Sequence, residues 1–455
     1  MAGAYFNRGL AHKQLEAYPL ALADYNRAIE LDPRNAKTYR QRGVVYKKMG
    51  LYRRAIDDFE RAIRLKPDFA LAYNNRGVAY KKLGEFAKAV ADYTRAISLD
   101  AGNAWFYNNR GVAQKNAGQY QQAIEDFNHA IRLSPENSAF FGNRGNVYAR
   151  LGQNFQAIGD YDHAITLNPQ EASHYNNRGI FYKRIGLYPR AIADYGEAIR
   201  LTPKDSTAFF NRGIANKHLN KAQDALEDMN RAIILDSRNP GYYRNRGLVY
   251  KNMRQYPKAI EDLTQAIFLK PDYAEAFNDR GEVRKITAFF KDGLEDFSRA
   301  IALDHENAWY YNNRGETYTK LDLPREALQD FSHAIHLDPT AVVFFINRGN
   351  VYRHFGQYQL AFEDFDQALK LDQKNPRVYN SRGEMFRYLG HPLSAMSDFE
   401  RAIELDPSFA KAYVNRGMGH VGQGQYDPAC RDFQKACDFG DCAHLNSSRK
   451  KGDCK

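Results

Sequence analysis

With 455 residues, 44% of them hydrophobic, the chain has the composition of folded protein, which excludes a disordered chain. Its 65 Lys+Arg against 54 Asp+Glu leave +11, a balance that favours an anionic partner such as an acidic protein segment and falls short of a nucleic-acid signature. Nowhere is there a run of about 18 apolar residues, so no membrane-spanning helix is expected.

The N-terminal stretch "MAGAYFNRGLAHKQLE" lacks a basic start followed by an apolar core, so a soluble, cytoplasmic protein is expected. It begins inside a helical pattern without a cap and leaves Phe6 and Leu10 without a cover. Two expectations follow: self-association through this end, or excision from a longer protein.

From there the chain repeats. A glycine preceded by arginine returns every 34 residues, from Gly9 through Gly43 and Gly77 to Gly417, thirteen times without an insertion. Each column can therefore be named by its third-copy member. The Tyr73 column is always Tyr or Phe, the Ala89 column is alanine except Gly293, the Tyr93 column is aromatic except Met229 and Leu263, and the Ala96 column is invariant. These are packing slots. Proline at 33, 67, 135, 169, 203, 271, 339 and 407 stops the second helix of its copy.

This pattern of aromatic, Gly and Tyr, then Ala, aromatic, Ala and Pro resembles the tetratricopeptide repeat family over residues 2–441. The resemblance implies an all-α fold: a right-handed superhelical solenoid of thirteen helix-turn-helix units whose concave groove is lined mainly by the first helix of each. In copy three the helices should span roughly 70–83 and 87–100. Residues 442–455 are expected to form a short cap and a frayed basic tail. Copy nine departs most, with Arg284 in the Tyr80 column and Gly293 in the Ala89 column, and is a candidate place for bending.

Arginine fills the column from Arg8 to Arg416 in all copies, on the packing side of the helix. An unpaired buried guanidinium costs several kcal/mol. Only one acidic column recurs as completely, from Asp24 to Asp432, so Arg76 with Asp92 and Arg178 with Asp194 are expected to form structural ion pairs. Pairing along one helix, as Asp58 with Arg61, is the alternative.

The opposite face should carry function. Its Asn75 column is asparagine in ten copies, including Asn75, Asn109, Asn143, Asn177, Asn211, Asn245, Asn313 and Asn347. An amide offers a donor and an acceptor and can grip a peptide unit whatever its side chain. This ladder looks like that of the O-linked N-acetylglucosamine transferase superhelix, which implies binding of extended polypeptide. The Lys81 column adds a basic stripe, with Lys81, Lys115, Lys183, Lys217 and Lys251, that would attract acidic ligands. The Val78 column is apolar through Leu248, with Asn146 the exception, then turns to Glu282, Glu316, Asn350 and Glu384. Trp105 and Trp309, the only tryptophans, share the Leu71 column and are candidate ligand contacts.

Other chemistry is set aside. A chaperone-tail carboxylate clamp is incomplete: Arg40 and Arg244 supply a base, but Val44 and Leu248 stand where asparagine is needed. No nucleotide loop, zinc-protease helix or nucleophile elbow occurs, so neither an enzyme nor a cofactor is expected. Cys430, Cys437, Cys442 and Cys454 all lie in the last 26 residues; without a C-x2-C pair, zinc held by Cys430, Cys437, Cys442 and His444 is not expected, and Cys430 and Cys437 read as packed free thiols. The reading is a protein-interaction scaffold for extended, acidic polypeptide. Single-stranded RNA is the alternative, weakened because a base code should vary where the asparagine column does not.

Overall fold

The computed structural model describes residues 1–451, 453 and 454. Among the described residues there are 27 helices and no strand. Twenty-six of these helices form thirteen antiparallel hairpins, one per copy, and the last, Ala443–Lys451, follows the thirteenth. The chain divides into two compact units, Met1–Leu235 with seven hairpins and Asp236–Lys455 with six hairpins and the terminal helix. No helix among the described residues is long and apolar enough to cross a membrane.

Copy three shows why each repeat folds as it does. Its helices are Ala70–Lys82 and Phe86–Leu99. Gly84 joins them at φ +78°, the left-handed conformation that glycine adopts without a Cβ penalty. Five copies place a residue other than glycine there at positive φ, among them Ala288 of copy nine at +63°, and their hairpins form all the same. Second helices end on an extended residue whether or not proline follows: Lys66, before Pro67, has φ −140° and ψ 88°, and Asp100, before Ala101, has φ −152° and ψ 86°. The next helix often starts on a polar cap, as where the Asn103 side chain accepts from the Trp105 amide.

Packing explains the glycine column. Tyr93 is fully buried, and its ring lies so near the backbone of the first helix that a Cβ on Gly77 would stand 2.9 Å from it. Ala89 and Ala96, also fully buried, let the two helices approach along the same seam. Within each unit, contacts also run between successive first helices, as Ala36–Lys48 with Ala70–Lys82, without comparable contact between successive second helices. First helices therefore line the inner side of each unit.

Both ends differ from the sequence expectation. Phe6 and Leu10 are half-buried, Phe6 packing beside Tyr25, so the apolar face at the N-terminal end is smaller than its sequence suggests. At the other end Cys430 pairs with Cys454 and Cys437 with Cys442, so the four cysteines are neither free packing thiols nor available to zinc. Leu445 of the terminal helix buries against Ala429 and Phe433, which brings the tail back onto copy thirteen. The tail is thus pinned through Cys454 rather than frayed; Gly452 and Lys455 lie outside the described residues.

Candidate peptide-binding face

An arginine ladder fixes the first helices. Arg76 donates from Nε to Asp92 Oδ2 at 2.8 Å and from Nη2 to Asp92 Oδ1 at 2.7 Å; Arg178 holds Asp194 in the same way at 2.9 and 2.6 Å. All thirteen copies make this pair between the two helices of one hairpin. Asp58 accordingly binds Arg42 rather than Arg61 on its own helix. The guanidinium of Arg76 also lies 5.7 Å from the centroid of Tyr73 and 5.9 Å from that of Tyr80, so its faces meet rings while its edge meets the carboxylate. Hydrogen bonding to Asp92 raises the pKa of Arg76, while burial pushes the Asp92 carboxyl up against the pull of its partner. At two of the three copies whose Tyr80 column lacks an aromatic ring, a second donor reaches the aspartate: Asn216 to Asp228 at 3.1 Å and Arg284 to Asp296 at 2.8 Å, whereas Gln114 is buried with its Oε1 unpartnered.

On the inner side, columns that are far apart in sequence meet across neighbouring copies. Lys251 donates to Glu282 at 2.7 Å, and Asn313 donates to Glu282 at 3.2 Å. One copy on, Lys285 donates to Glu316 at 2.6 Å and Asn347 to Glu316 at 3.0 Å. Arg353 pairs with Glu384, to which Asn415 donates at 2.8 Å. Each diagonal steps 31 residues twice, from the Lys81 column through the Val78 column to the Asn75 column. A second link joins Asn313, Asn347 and Asn415 to Asn278, Asn312 and Asn380 of the preceding copy at 2.8–2.9 Å. Both amide hydrogens of these three asparagines are therefore committed within the protein. Asn313 and Asn347, expected to hold a ligand, thus give both amide hydrogens within the protein, and Lys251, also expected to do so, is paired with Glu282. Arg244 likewise binds Asp279 at 2.5 Å.

Unit 1 keeps the same diagonals without the acid. Lys47, Val78 and Asn109 form one; Lys81, Val112 and Asn143 the next; Lys115, Asn146 and Asn177 a third. Asn109 and Asn143 each give one hydrogen to Asn74 and Asn108 of the copy before, at 2.9 Å. Lys183 donates to Asn211 at 2.9 Å, so those two are partly used, and Asn245 turns to the Gly241 carbonyl. Lys217 is half-buried on the same face. Burial lowers Lys47, Lys81 and Lys115, and Lys81 falls to about 8, with Lys82, Lys115 and Lys47 adding repulsion. No carboxylate offsets any of the three. A cavity of about 320 Å³ opens at the third diagonal, lined by Lys115, Asn146, Asn177, Arg150 and Arg184 among others.

Arg150 and Arg184 sit outside the columns singled out from sequence, and the Asn74 column, noted there only for the bases Arg40 and Arg244, proves to stitch neighbouring copies. The recurrent "NN" pairs, as at 74–75 and 108–109, were the available signal for the stitch. Arg40 is desolvated, its Nε has no partner, and its charge lowers both Lys13 and Lys47. Trp105 and Trp309 are about half exposed, at 50% and 51%, and each meets the ring of a buried phenylalanine of the next copy edge-on at 5.1 Å, Phe140 and Phe344 respectively. Unit 2 holds a larger cavity of about 770 Å³ against Ile286, Phe290 and Phe355, but its Lys285, Glu316, Asn347 and Arg353 are the groups already paired above.

Family models described as tetratricopeptide repeat match residues 36–69, 70–103, 104–137, 176–240, 241–273 and 376–409, and one described as TPR repeat matches 9–50 and 349–390. The chain belongs to the tetratricopeptide repeat family. Membership of this family supports a protein-interaction scaffold. Among curated proteins no significant match was found. Of solved structures, the chain is similar to one from the APC/C hetero-tetramer Cut9–Hcn1, with 12% identity over 98% of this chain and 95% of that one and a TM-score of 0.51, a likeness of fold. Yeast Tom70 aligns at 17% identity over 99% of this tetratricopeptide repeat chain and 95% of its own, with a TM-score of 0.47. YrrB, a TPR protein with an unusual peptide-binding site, aligns at 20% over 41% of this chain and 97% of its own, with a TM-score of 0.34.

Proposed function

We propose that the protein is a scaffold that holds extended, acidic polypeptide against the inner face of its first helices, through asparagine amides and a basic stripe. The observation that carries this reading is the row of half-buried lysines in unit 1, Lys47, Lys81 and Lys115, whose charges no carboxylate of the protein offsets. Holding desolvated cations side by side is costly, and an anionic ligand removes the cost. Unspent hydrogens on Asn75, Asn109, Asn143 and Asn177 stand along the same face to bind a peptide backbone. Trp105 adds a half-exposed ring at one side. The pair of disulfides near the C-terminus favours an oxidising compartment over the cytoplasm, since such bonds persist where thiols are not kept reduced.

The test compares a glutamate-containing peptide with single-stranded RNA by fluorescence anisotropy across a salt series. Peptide binding that weakens moderately with salt supports the reading. Tight RNA binding with a steep salt slope overturns it in favour of a nucleic-acid-binding repeat protein.

A further inference from the structure

The two units carry one recognition geometry in two states. In unit 2 a lysine or arginine from one copy and an asparagine two copies on converge on a glutamate between them: Lys251 and Asn313 on Glu282, Lys285 and Asn347 on Glu316, Arg353 and Asn415 on Glu384. In unit 1 the flanking residue types recur at the same 31-residue steps, but the middle position is Val78, Val112 or Asn146. Nothing inside unit 1 supplies the missing carboxylate.

We propose that the diagonals of unit 1 receive carboxylates of an acidic polypeptide, in the place that Glu282, Glu316 and Glu384 fill in unit 2. This deepens the scaffold reading and rests on it. The protein itself shows the arrangement: an ammonium at 2.6–2.7 Å and an amide at 3.0–3.2 Å are how Glu282 and Glu316 are held. The clearest empty seat is the third diagonal, where the cavity of about 320 Å³ separates Lys115 from Asn177. There the Tyr161 hydroxyl donates to Asn146 Oδ1 at 2.8 Å, which leaves the Asn146 NH2 as a group with hydrogens to give. Arg150 and Arg184 complete a lining of three cations with no acid among its residues. In unit 2 the corresponding cations Lys251, Lys285 and Arg353 are already paired with the protein's own glutamates, so these three diagonals offer no seat. Because each copy offers one seat and layers lie about 9 Å apart, an extended ligand should present an acid at about every third residue.

The decisive variant moves unit 2's glutamate into unit 1. Val112→Glu places a carboxylate between Lys81 and Asn143, as Glu282 and Glu316 stand at 29% and 37% exposure in unit 2. Because Val112 packs against Ala123, Ile124 and Phe127, the variant's fold is first checked by circular dichroism, and Lys81→Gln gives a second test that does not touch this packing. The probe is a labelled peptide of about five Glu-Ser-Gly repeats, against its Gln-Ser-Gly counterpart, titrated by anisotropy with the full chain. The expected result is about tenfold tighter binding of the glutamate peptide, a preference that Val112→Glu largely removes while leaving the glutamine peptide unchanged. Lys81→Gln, which adds no charge to the fold, should reduce the same preference. Equal affinity for the two peptides in the unmodified protein, or a preference that survives in a folded Val112→Glu variant, overturns the carboxylate seats while the scaffold stands. Failure of both peptides to bind overturns the scaffold reading, and this inference falls with it.

Discussion

Replacing Asp194 by alanine tests whether the ladder bears structure. The side chain is 7% exposed and accepts two charge-assisted hydrogen bonds from Arg178, at 2.9 and 2.6 Å. Breaking a buried pair from one side costs about 3–5 kcal/mol, because the remaining charge is stranded. Arg178 is not wholly stranded: its Nη1 keeps Asp162 at 2.5 Å, and the rings of Tyr175 and Tyr182 stay 5.9 Å away. The cost should therefore fall near the lower end, about 3 kcal/mol. Asp92→Ala should cost more, about 4 kcal/mol, since the other acid near Arg76 is Glu60 at 3.9 Å. Repeat arrays need not unfold in one step, so a single denaturant midpoint is the wrong readout. Hydrogen exchange read by mass spectrometry on Ala172–Arg184 and Tyr188–Leu201 reports the local opening. About 3 kcal/mol corresponds to roughly 150-fold faster exchange there, with the hairpins around Gly9 and Gly417 unaffected. Acceleration of less than about fivefold, equivalent to about 1 kcal/mol, would refute the argument that the pair is buried and mutually required.

Gly77→Ala should destabilise copy three by about 1–3 kcal/mol, because the added carbon meets the Tyr93 ring at 2.9 Å. Gly247→Ala gains the same helix propensity but should cost less, because its nearest neighbour is Leu263 Cγ at 3.1 Å rather than a ring atom at 2.9 Å; equal losses by hydrogen exchange would contradict the close-approach explanation. Lys81 supplies a pH signature. Its folded pKa, about 8, lies below the ordinary 10.5, through burial first and then Lys82, Lys115 and Lys47. The charged form is the one penalised, so the cost is whole below about pH 8 and fades toward about pH 10.5, and the stability of unit 1 should rise with pH across that window. An acidic ligand lifts the pKa again, so binding near pH 8.5 should take up a proton, and binding near pH 6.5 should not. Calorimetry in two buffers of different ionisation enthalpy measures this; absence of uptake near pH 8.5, or its persistence in Lys81→Gln, would exclude Lys81 as the responding group.

Much of the architecture was legible because a 34-residue period makes the chain its own comparison. The Gly77 and Tyr93 columns, the alanines between them and the prolines after Leu are each dictated by contacts inside one hairpin, so they recur at fixed offsets. The arginine column could be matched to the aspartate column for the same reason: both partners belong to one copy, 16 residues apart, and desolvation allows neither to vary alone. The change in the Val78 column from Val112 to Glu282 was also visible, as a change in character without a partner.

What the linear chain could not disclose depends on how one hairpin is offset on the next. Glu282 meets Lys251 and Asn313, 31 residues to either side, and Asn109 meets Asn74 at 35, because stacking carries neighbouring first helices past each other by part of a turn. The same asparagine column is thus consumed at Asn313 and Asn347 and retains hydrogens at Asn143 and Asn177. At the C-terminus, folding of Ala443–Lys451 back onto copy thirteen decides which cysteines face each other, so Cys430 finds Cys454 and Cys437 finds Cys442. Periodicity reports what each repeat must bury for itself; which polar groups remain free is set by the neighbours it acquires in space, since a hydrogen bond or ion pair depends on distance and not on sequence order.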